Sequence, residues 1–187
     1  MFTALFTHSA CLAHDPGRGH PESPDRLRAV LHALEAEEFA HLDRREAPAA
    51  TREQLALAHP RPFVDWVLEN VPAKGTVHID PDTAMSPASG EAALRAAGAV
   101  CAAVDAVMRS EIRNAFCAVR PPGHHAEPAL PMGFCLFNSV GVGAFHARAA
   151  HGLKRVAVVD FDVHHGNGTQ AMFEADADLF YASTHQW

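Results

Sequence analysis

Short apolar runs that end in polar residues alternate along this chain with stretches of helical period. Residues 2–7, 115–119, 155–160 and 179–183 read as buried strands, and 42–46 and 77–79 as shorter ones. Ser23-Pro24 has the form of a helix N-cap and first helical position, which predicts a helix from there to about Phe39. Thr51-Arg52-Glu53-Gln54 has the capping-box form and opens a short helix that residues 59–62 break. A further helix covers 63–71, with Phe63, Trp66 and Val67 at helical spacing and expected in the core. A long Ala-rich helix spans about 91–109. Its Ala93, Ala97, Val100, Val104 and Val107 share one face, which should pack on a sheet. A Gly/Ala-rich helix is predicted over about 138–150 and a short one over 169–174. Loops take up 14–22, 81–90 and the stretch up to about Gly133.

Strand–helix alternation of this kind predicts an α/β fold, a parallel sheet flanked by helices on both faces. A strand ends at Ser183 and no covering element follows it. Residues 1–187 are therefore expected to be the N-terminal part of a single larger domain, truncated at its C-terminus.

Composition narrows the function classes. The net charge is −7, the only lysines are Lys74 and Lys154, and the arginines are scattered. That argues against nucleic acid as a partner. Cys11, Cys101, Cys117 and Cys135 form no Cys-x-x-Cys pair and read as reduced thiols of a cytoplasmic protein. No segment is long and apolar enough to predict a membrane span. Residues 1–13 lack a basic leading region and are interrupted by His8, so a first strand is the better reading than a signal peptide.

Two loops carry the candidate chemistry. The run ending at Val159 is followed by Asp160-Phe161-Asp162-Val163-His164-His165-Gly166-Asn167-Gly168. Charges are costly to bury unless they are paired or bound to a metal. A carboxylate and an imidazole two residues apart can face one way from an extended backbone, which makes Asp162 and His164 candidate zinc ligands. The run ending at Val119 is followed by Arg120-Pro121-Pro122-Gly123-His124-His125. Parallel sheets place their ligands beyond the carboxyl ends of the strands, so the two loops can converge. Zinc would supply an activated water, and His124 and His125 suit general acid–base work. Which of the two is the base stays open. His14 and His20 read as loop residues that shape the entrance rather than as ligands, and the remaining histidines as surface or core residues.

At this point a family resemblance emerges. It rests on His20-Pro21-Glu22-Ser23-Pro24 with Arg26, the Arg120–His125 string, Gly133-Phe134-Cys135, and the string from Asp160 through Gly168 to Gln170. In this order and spacing they resemble the zinc-dependent histone deacetylases, of the superfamily that includes acetylpolyamine amidohydrolases. Asn167 and the Gly-Thr-Gln after it resemble class II members and their bacterial relatives; class I members usually carry Asp at that position. Phe161 departs from a Trp common in class II, a change expected to affect packing only.

The resemblance implies an arginase/deacetylase-like fold and removal of acetyl or related acyl groups from lysine side chains or polyamines. It implies that Asp160 accepts a hydrogen bond from His124 and that Asn167 faces His125. Potassium would sit on Asp160, Asp162, His164, Ser183 and Thr184, and a second potassium on Phe173, Asp176 and Leu179. Gly133 and Phe134 would line the acyl-chain tunnel, and Asp82 is the candidate rim residue gripping substrate. A third zinc ligand and a carbonyl-polarising tyrosine or histidine would come from sequence after residue 187. The implied partners are an acylated lysine peptide or protein, or an acetylated polyamine, with a homo-oligomer left open. A catalytically weak acyl-lysine-binding relative and a two-manganese hydrolase of the arginase type are the competing readings.

Overall fold

The computed structural model describes residues 3–187; Phe2, assigned above to the first strand, lies outside the described residues. The parallel strands form two blocks. In the first, β1 (Thr3–Thr7) lies between β2 (Asp43–Glu46) and β5 (Asn114–Cys117). In the second, β6 (Val156–Asp160) pairs with β7 (Leu179–Ser183). A small antiparallel pair, β3 (Val77–His78) with β4 (Ala84–Met85), stands apart; β4 falls in a stretch the sequence assigns to loop.

Successive residues of β1 are buried, as expected of a strand covered on both faces. Leu5 packs with Cys11, Ala118 and Leu27 of α2 (Pro24–Ala33). Ala4 and Phe6 point the other way, to Ala99, Ala103 and Ala106 of α5 (Ser89–Met108). The buried face of α5 is thus mainly alanine. Of the residues expected there, Ala93 and Ala97 are buried, Val100 and Val104 are partly covered, and Val107 is 38% exposed.

Several local expectations are corrected. The Ser23 side chain makes no capping bond, and α2 ends at Ala33, with a separate 3-10 turn at Glu37–Phe39. Residues 35–38 are all exposed, and with three glutamates among them they bury no apolar surface that would hold further helical turns. A four-residue helix, α1 (Ala10–Ala13), lies where none was expected. The capping box at Thr51 forms with both bonds and opens α3 (Arg52–Leu55). The next helix, α4 (Arg61–Glu69), takes in Pro62, whose missing N–H costs nothing in a first turn. Trp66 is 43% exposed and is not a core residue, whereas Phe63 is buried. The last two helices are α6 (Ser139–His151) and α7 (Asn167–Phe173), the latter starting two residues earlier than expected.

Among the described residues, β5 and β6 do not pair with each other. A cleft of about 400 Å³ lies between them, lined by Cys117, Val119, Val158, Val159 and Phe161 among others. Phe161 is 87% exposed, so its ring lies open rather than packed.

Candidate active site

The histidine loop follows β5 and the acidic loop follows β6, so both emerge from the carboxyl ends of parallel strands. The start of α7 joins them. The Thr169 N–H donates to the His124 carbonyl at 3.1 Å. A Cβ on Gly168 would stand 2.2 Å from the Ala126 carbonyl oxygen, an approach only glycine permits. Asn138, the N-cap of α6, reinforces the junction by donating to the Ala126 carbonyl at 3.2 Å and to Thr169 Oγ1 at 3.1 Å.

Asp162 and His164 meet locally. Asp162 Oδ1 accepts from the His164 backbone N–H at 2.8 Å and lies 3.1 Å from His164 Nδ1. It is also 4.0 Å from His124 Nε2. In tetrahedral coordination, zinc bonds of 2.0–2.1 Å separate two ligand atoms by about 3.3 Å. The carboxylate–imidazole pair therefore has the spacing and chemistry to hold a zinc ion. Both side chains are largely open to solvent, at 45% for Asp162 and 69% for His164.

The hydrogen bonds determine which nitrogen each histidine presents. Asp160 Oδ2 accepts from His124 Nδ1 at 2.9 Å and from the Tyr181 hydroxyl at 3.1 Å. A carboxylate only accepts, so His124 Nδ1 carries the proton in that bond and Nε2 faces the cleft. Tyr181 accepts in turn from the Gly166 N–H at 2.9 Å. On the other ring, Asn167 Nδ2 donates to Glu127 Oε1 at 3.0 Å, which fixes the orientation of its amide. Asn167 Oδ1 then accepts from His125 Nδ1 at 2.7 Å, leaving a lone pair on His125 Nε2. The two rings are 4.0 Å apart between centroids, and His125 is 5.9 Å from the His164 ring.

Electrostatics follow this wiring. Burial alone would raise the Asp160 pKa, but hydrogen bonds from His124 and the Asp162 N–H outweigh it and leave it lowered. Asp162 behaves alike: burial opposes ionisation, and the His164 N–H and the nearby His124 more than offset it. Burial lowers the pKa of His125, with the Asn167 hydrogen bond acting against the shift.

A cleft of about 340 Å³ opens over these groups, lined by both histidines, Asp162, His164, Gly133, Phe134 and Asp82 among others. Gly133 has φ +57°, and a Cβ there would lie 2.5 Å from the His125 ring. Phe134 also has a positive φ, of 70°. It is held by a bond from its N–H to Thr83 Oγ1 at 3.1 Å and by edge contact with His20. The His20 ring also bonds the Asp82 carbonyl at 3.0 Å, so His20 braces this wall.

Ser183 stands beside Asp160 in the β6–β7 register, and the Thr184 N–H donates to the Asp160 carbonyl at 3.0 Å. Phe173, Asp176 and Leu179 bound two successive turns between α7 and β7, in which the Phe173 carbonyl accepts from the Asp176 N–H and the Asp176 carbonyl from the Leu179 N–H.

The sequence reading missed Glu127 and Tyr181, whose contacts reach across 40 and 21 residues. It also misplaced His14, which is 1% exposed and shapes no entrance. His14 bonds Ser89 Oγ at 2.7 Å and lies 3.3 Å from the buried carboxylate of Glu22. No local pattern marks these contacts, because each joins distant segments.

Comparison with known proteins bears on the same motifs. Residues 20–187 match the family described as "Histone deacetylase domain". The chain is 38% identical to "Histone deacetylase 14, chloroplastic" of Arabidopsis thaliana, over 97% of its own length and 47% of that protein. It is 38% identical to a histone deacetylase-like amidohydrolase of Pseudomonas aeruginosa, over 98% and 53%. It is 37% identical to "Polyamine deacetylase HDAC10" of Homo sapiens, over 100% and 29%. The crystal structure of the HDA15 HD domain superposes with a TM-score of 0.91 at 36% identity, over 98% of this chain and 53% of that one. The chain thus spans about half the length, or less, of these relatives. With the expected α/β architecture, a near-complete match to the family and several relatives above one-third identity, this chain belongs to the histone deacetylase family.

Proposed function

We propose that the full-length protein containing this chain is a zinc-dependent amidohydrolase. It removes acetyl or related acyl groups from lysine side chains or polyamines. Residues 1–187 form the N-terminal part of its single catalytic domain. The observation that carries this reading is the meeting of Asp162 Oδ1 with His164 Nδ1, at 3.1 Å, and with His124 Nε2, at 4.0 Å, in one cleft.

Zinc held by Asp162 and His164 would lower the pKa of water and polarise the amide carbonyl. His125 Nε2, with its free lone pair, takes a proton during attack and returns it to the leaving amine. His124 Nε2 steadies the charge that develops on the other side of the reacting carbon. Gly133 and Phe134 flank the aliphatic arm of the substrate, and Asp82 holds its polar end at the rim. Potassium, a hard cation that prefers oxygen, would be held by the carbonyls of Asp160, Asp162 and His164 with Ser183 and Thr184. A second potassium would be held by those of Phe173, Asp176 and Leu179. The similarity to a polyamine deacetylase supports acetylated polyamines as one substrate class, and that to histone deacetylases supports acetylated lysine as the other. The reduced-cysteine composition supports a cytoplasmic location.

The test is a panel of acetyl-lysine peptides and acetylated polyamines assayed with the full-length protein, alongside its metal content. Turnover with zinc present, and loss of turnover together with one bound zinc in Asp162→Ala, is the expected result. Binding of acyl-lysine without turnover would favour the weak relative, and two manganese ions lost together in Asp162→Ala would favour the arginase type. Residues 1–187 alone should show under about one-hundredth of the full-length activity. They bring only two of the implied zinc ligands, and among the described residues the facing edges of β5 and β6 have no strand partner.

The Asn167–His125 contact gives a second expectation. Asn167→Asp, made together with Glu127→Gln so that two carboxylates do not face each other, adds a negative charge beside His125. Its conjugate acid is then favoured, so the acidic limb of the kcat/KM profile should move to higher pH. An unmoved limb would remove His125 from the role of base.

A further inference from the structure

The C-terminal ends of α5 and α6 bring a second set of metal-binding side chains together, outside the cleft. Helix α5 leads to the start of β5 and α6 to the start of β6. Their C-terminal ends therefore lie at the opposite edge of the sheet from the histidine and acidic loops. Here Asp105 Oδ1 is 2.7 Å from Nε2 of both His146 and His151. The three ligand atoms lie within 4.8 Å of one another, and among the described residues no other trio of His, Cys, Asp or Glu donors closes to this degree. His146 is buried, and the side chains of His151 and Asp105 are 19% and 28% exposed.

We propose that Asp105, His146 and His151 form a second divalent-metal site, for zinc or a similar borderline cation. One carboxylate with two imidazoles is a donor set zinc takes readily, with water in the fourth position. The partial exposure of Asp105 and His151 lets that water reach the ion. The present N···O distances of 2.7 Å would open to about 3.3 Å around a tetrahedral ion, a change that small side-chain rotations supply. One nearby charge opposes the site. Arg109 Nη1 lies 4.0 Å from Asp105 Oδ2, but it approaches the other carboxylate oxygen. Its side chain is 56% exposed and already bonded to Glu111 at 2.7 Å, so it can stay with Glu111 when a cation arrives. The two histidines lie on one helix and the aspartate on the other, so the ion would cross-link α5 to α6. Its role is structural, and it does not depend on the proposed catalytic zinc.

The experiment uses the full-length protein, stripped by a chelator, re-equilibrated with zinc and analysed for bound metal. Two ions per chain are expected. His151→Gln and Asp105→Asn should each lower the count by one, and Asp162→Ala should lower it by one independently. Zinc should raise the Tm of the stripped Asp162→Ala protein, and that rise should vanish when His151→Gln is added. His151 is partly exposed, and the glutamine can still bond Asp105, so this variant retains the fold. A zinc count that His151→Gln and Asp105→Asn leave unchanged overturns the proposal, as does loss of all zinc in Asp162→Ala alone. One ion that survives Asp162→Ala but not His151→Gln would support this site while removing the catalytic one.

Discussion

Replacing His125 by alanine in the full-length protein is expected to lower kcat for deacylation by about 10²–10⁴-fold, the usual contribution of a positioned acid–base group. Zinc content should stay unchanged. The Glu127–Asn167 contact leaves His125 Nε2 with the lone pair, and burial depresses the pKa of the ring, so the base is unprotonated at neutral pH. A general base works above its own pKa, so a depressed value extends activity toward lower pH. His125 does not touch Asp162 or His164 in the way those two touch each other, and for that reason KM and bound metal should change less than kcat. Residual activity within tenfold of the unaltered protein, measured at saturating substrate, would assign the proton transfer to another group. His124→Ala is the companion variant. It removes a ring that faces Asp162 and is tied to Asp160, so zinc affinity should fall along with kcat.

Arg120→Met is expected to destabilise the fold by about 3–5 kcal/mol, the range found when one partner of a buried ion pair is removed. Arg120 is 3% exposed and bonds both carboxylate oxygens of Glu22 at 2.5 Å. Its Nη1 also donates to the carbonyls of Cys11 and His14, at 2.7 and 3.1 Å. Without it, Glu22 would be left as a charge with no surface exposure, facing His14 and the more distant Arg26. Burial works to raise the Glu22 pKa, but the His14 and Arg120 bonds overcome it and bring the value down to about 2. A carboxylate lowered on folding contributes stability that is complete above its unfolded pKa, about 4.3, and is lost as pH falls through the folded value. Urea denaturation at pH 7 and at pH 3 should therefore show the unaltered protein losing stability on acidification. Arg120→Met with Glu22→Gln should lose less, and should cost less at pH 7 than Arg120→Met alone. If the single and double variants are equally stable, the pair is not what holds this region. Because Arg120 directly precedes the Pro121–His125 segment, its loss should also displace the two rings and reduce activity.

The strands were the most legible part of the chain. β7 has the bounds its apolar run predicts, and β6 and β5 differ from theirs by a few residues at the ends. The capping box at Thr51 formed as written, since all its bonds lie within four residues. Helix packing was less legible. Trp66 has the spacing of a core residue, but the covering element it would need is not placed over it. On α5 the predicted face holds at Ala93 and Ala97, which are buried, but Val107 is exposed and further alanines take the buried positions because the helix lies close to its neighbours.

The sequence by itself determined where the polar clusters fall relative to the strands, and it determined the Asp162–His164 pairing. A spacing of two residues on a short loop leaves the side chains little choice of direction. Only the tertiary structure decided which atom each ring presents, through Asp160 and Tyr181 on one side and Asn167 and Glu127 on the other. It alone placed His14 against Ser89 and set Asp105 between two histidines of another helix. The physical reason is range: periodicity and capping depend on neighbours along the backbone, whereas a hydrogen-bond partner dozens of residues away is chosen by how whole elements pack.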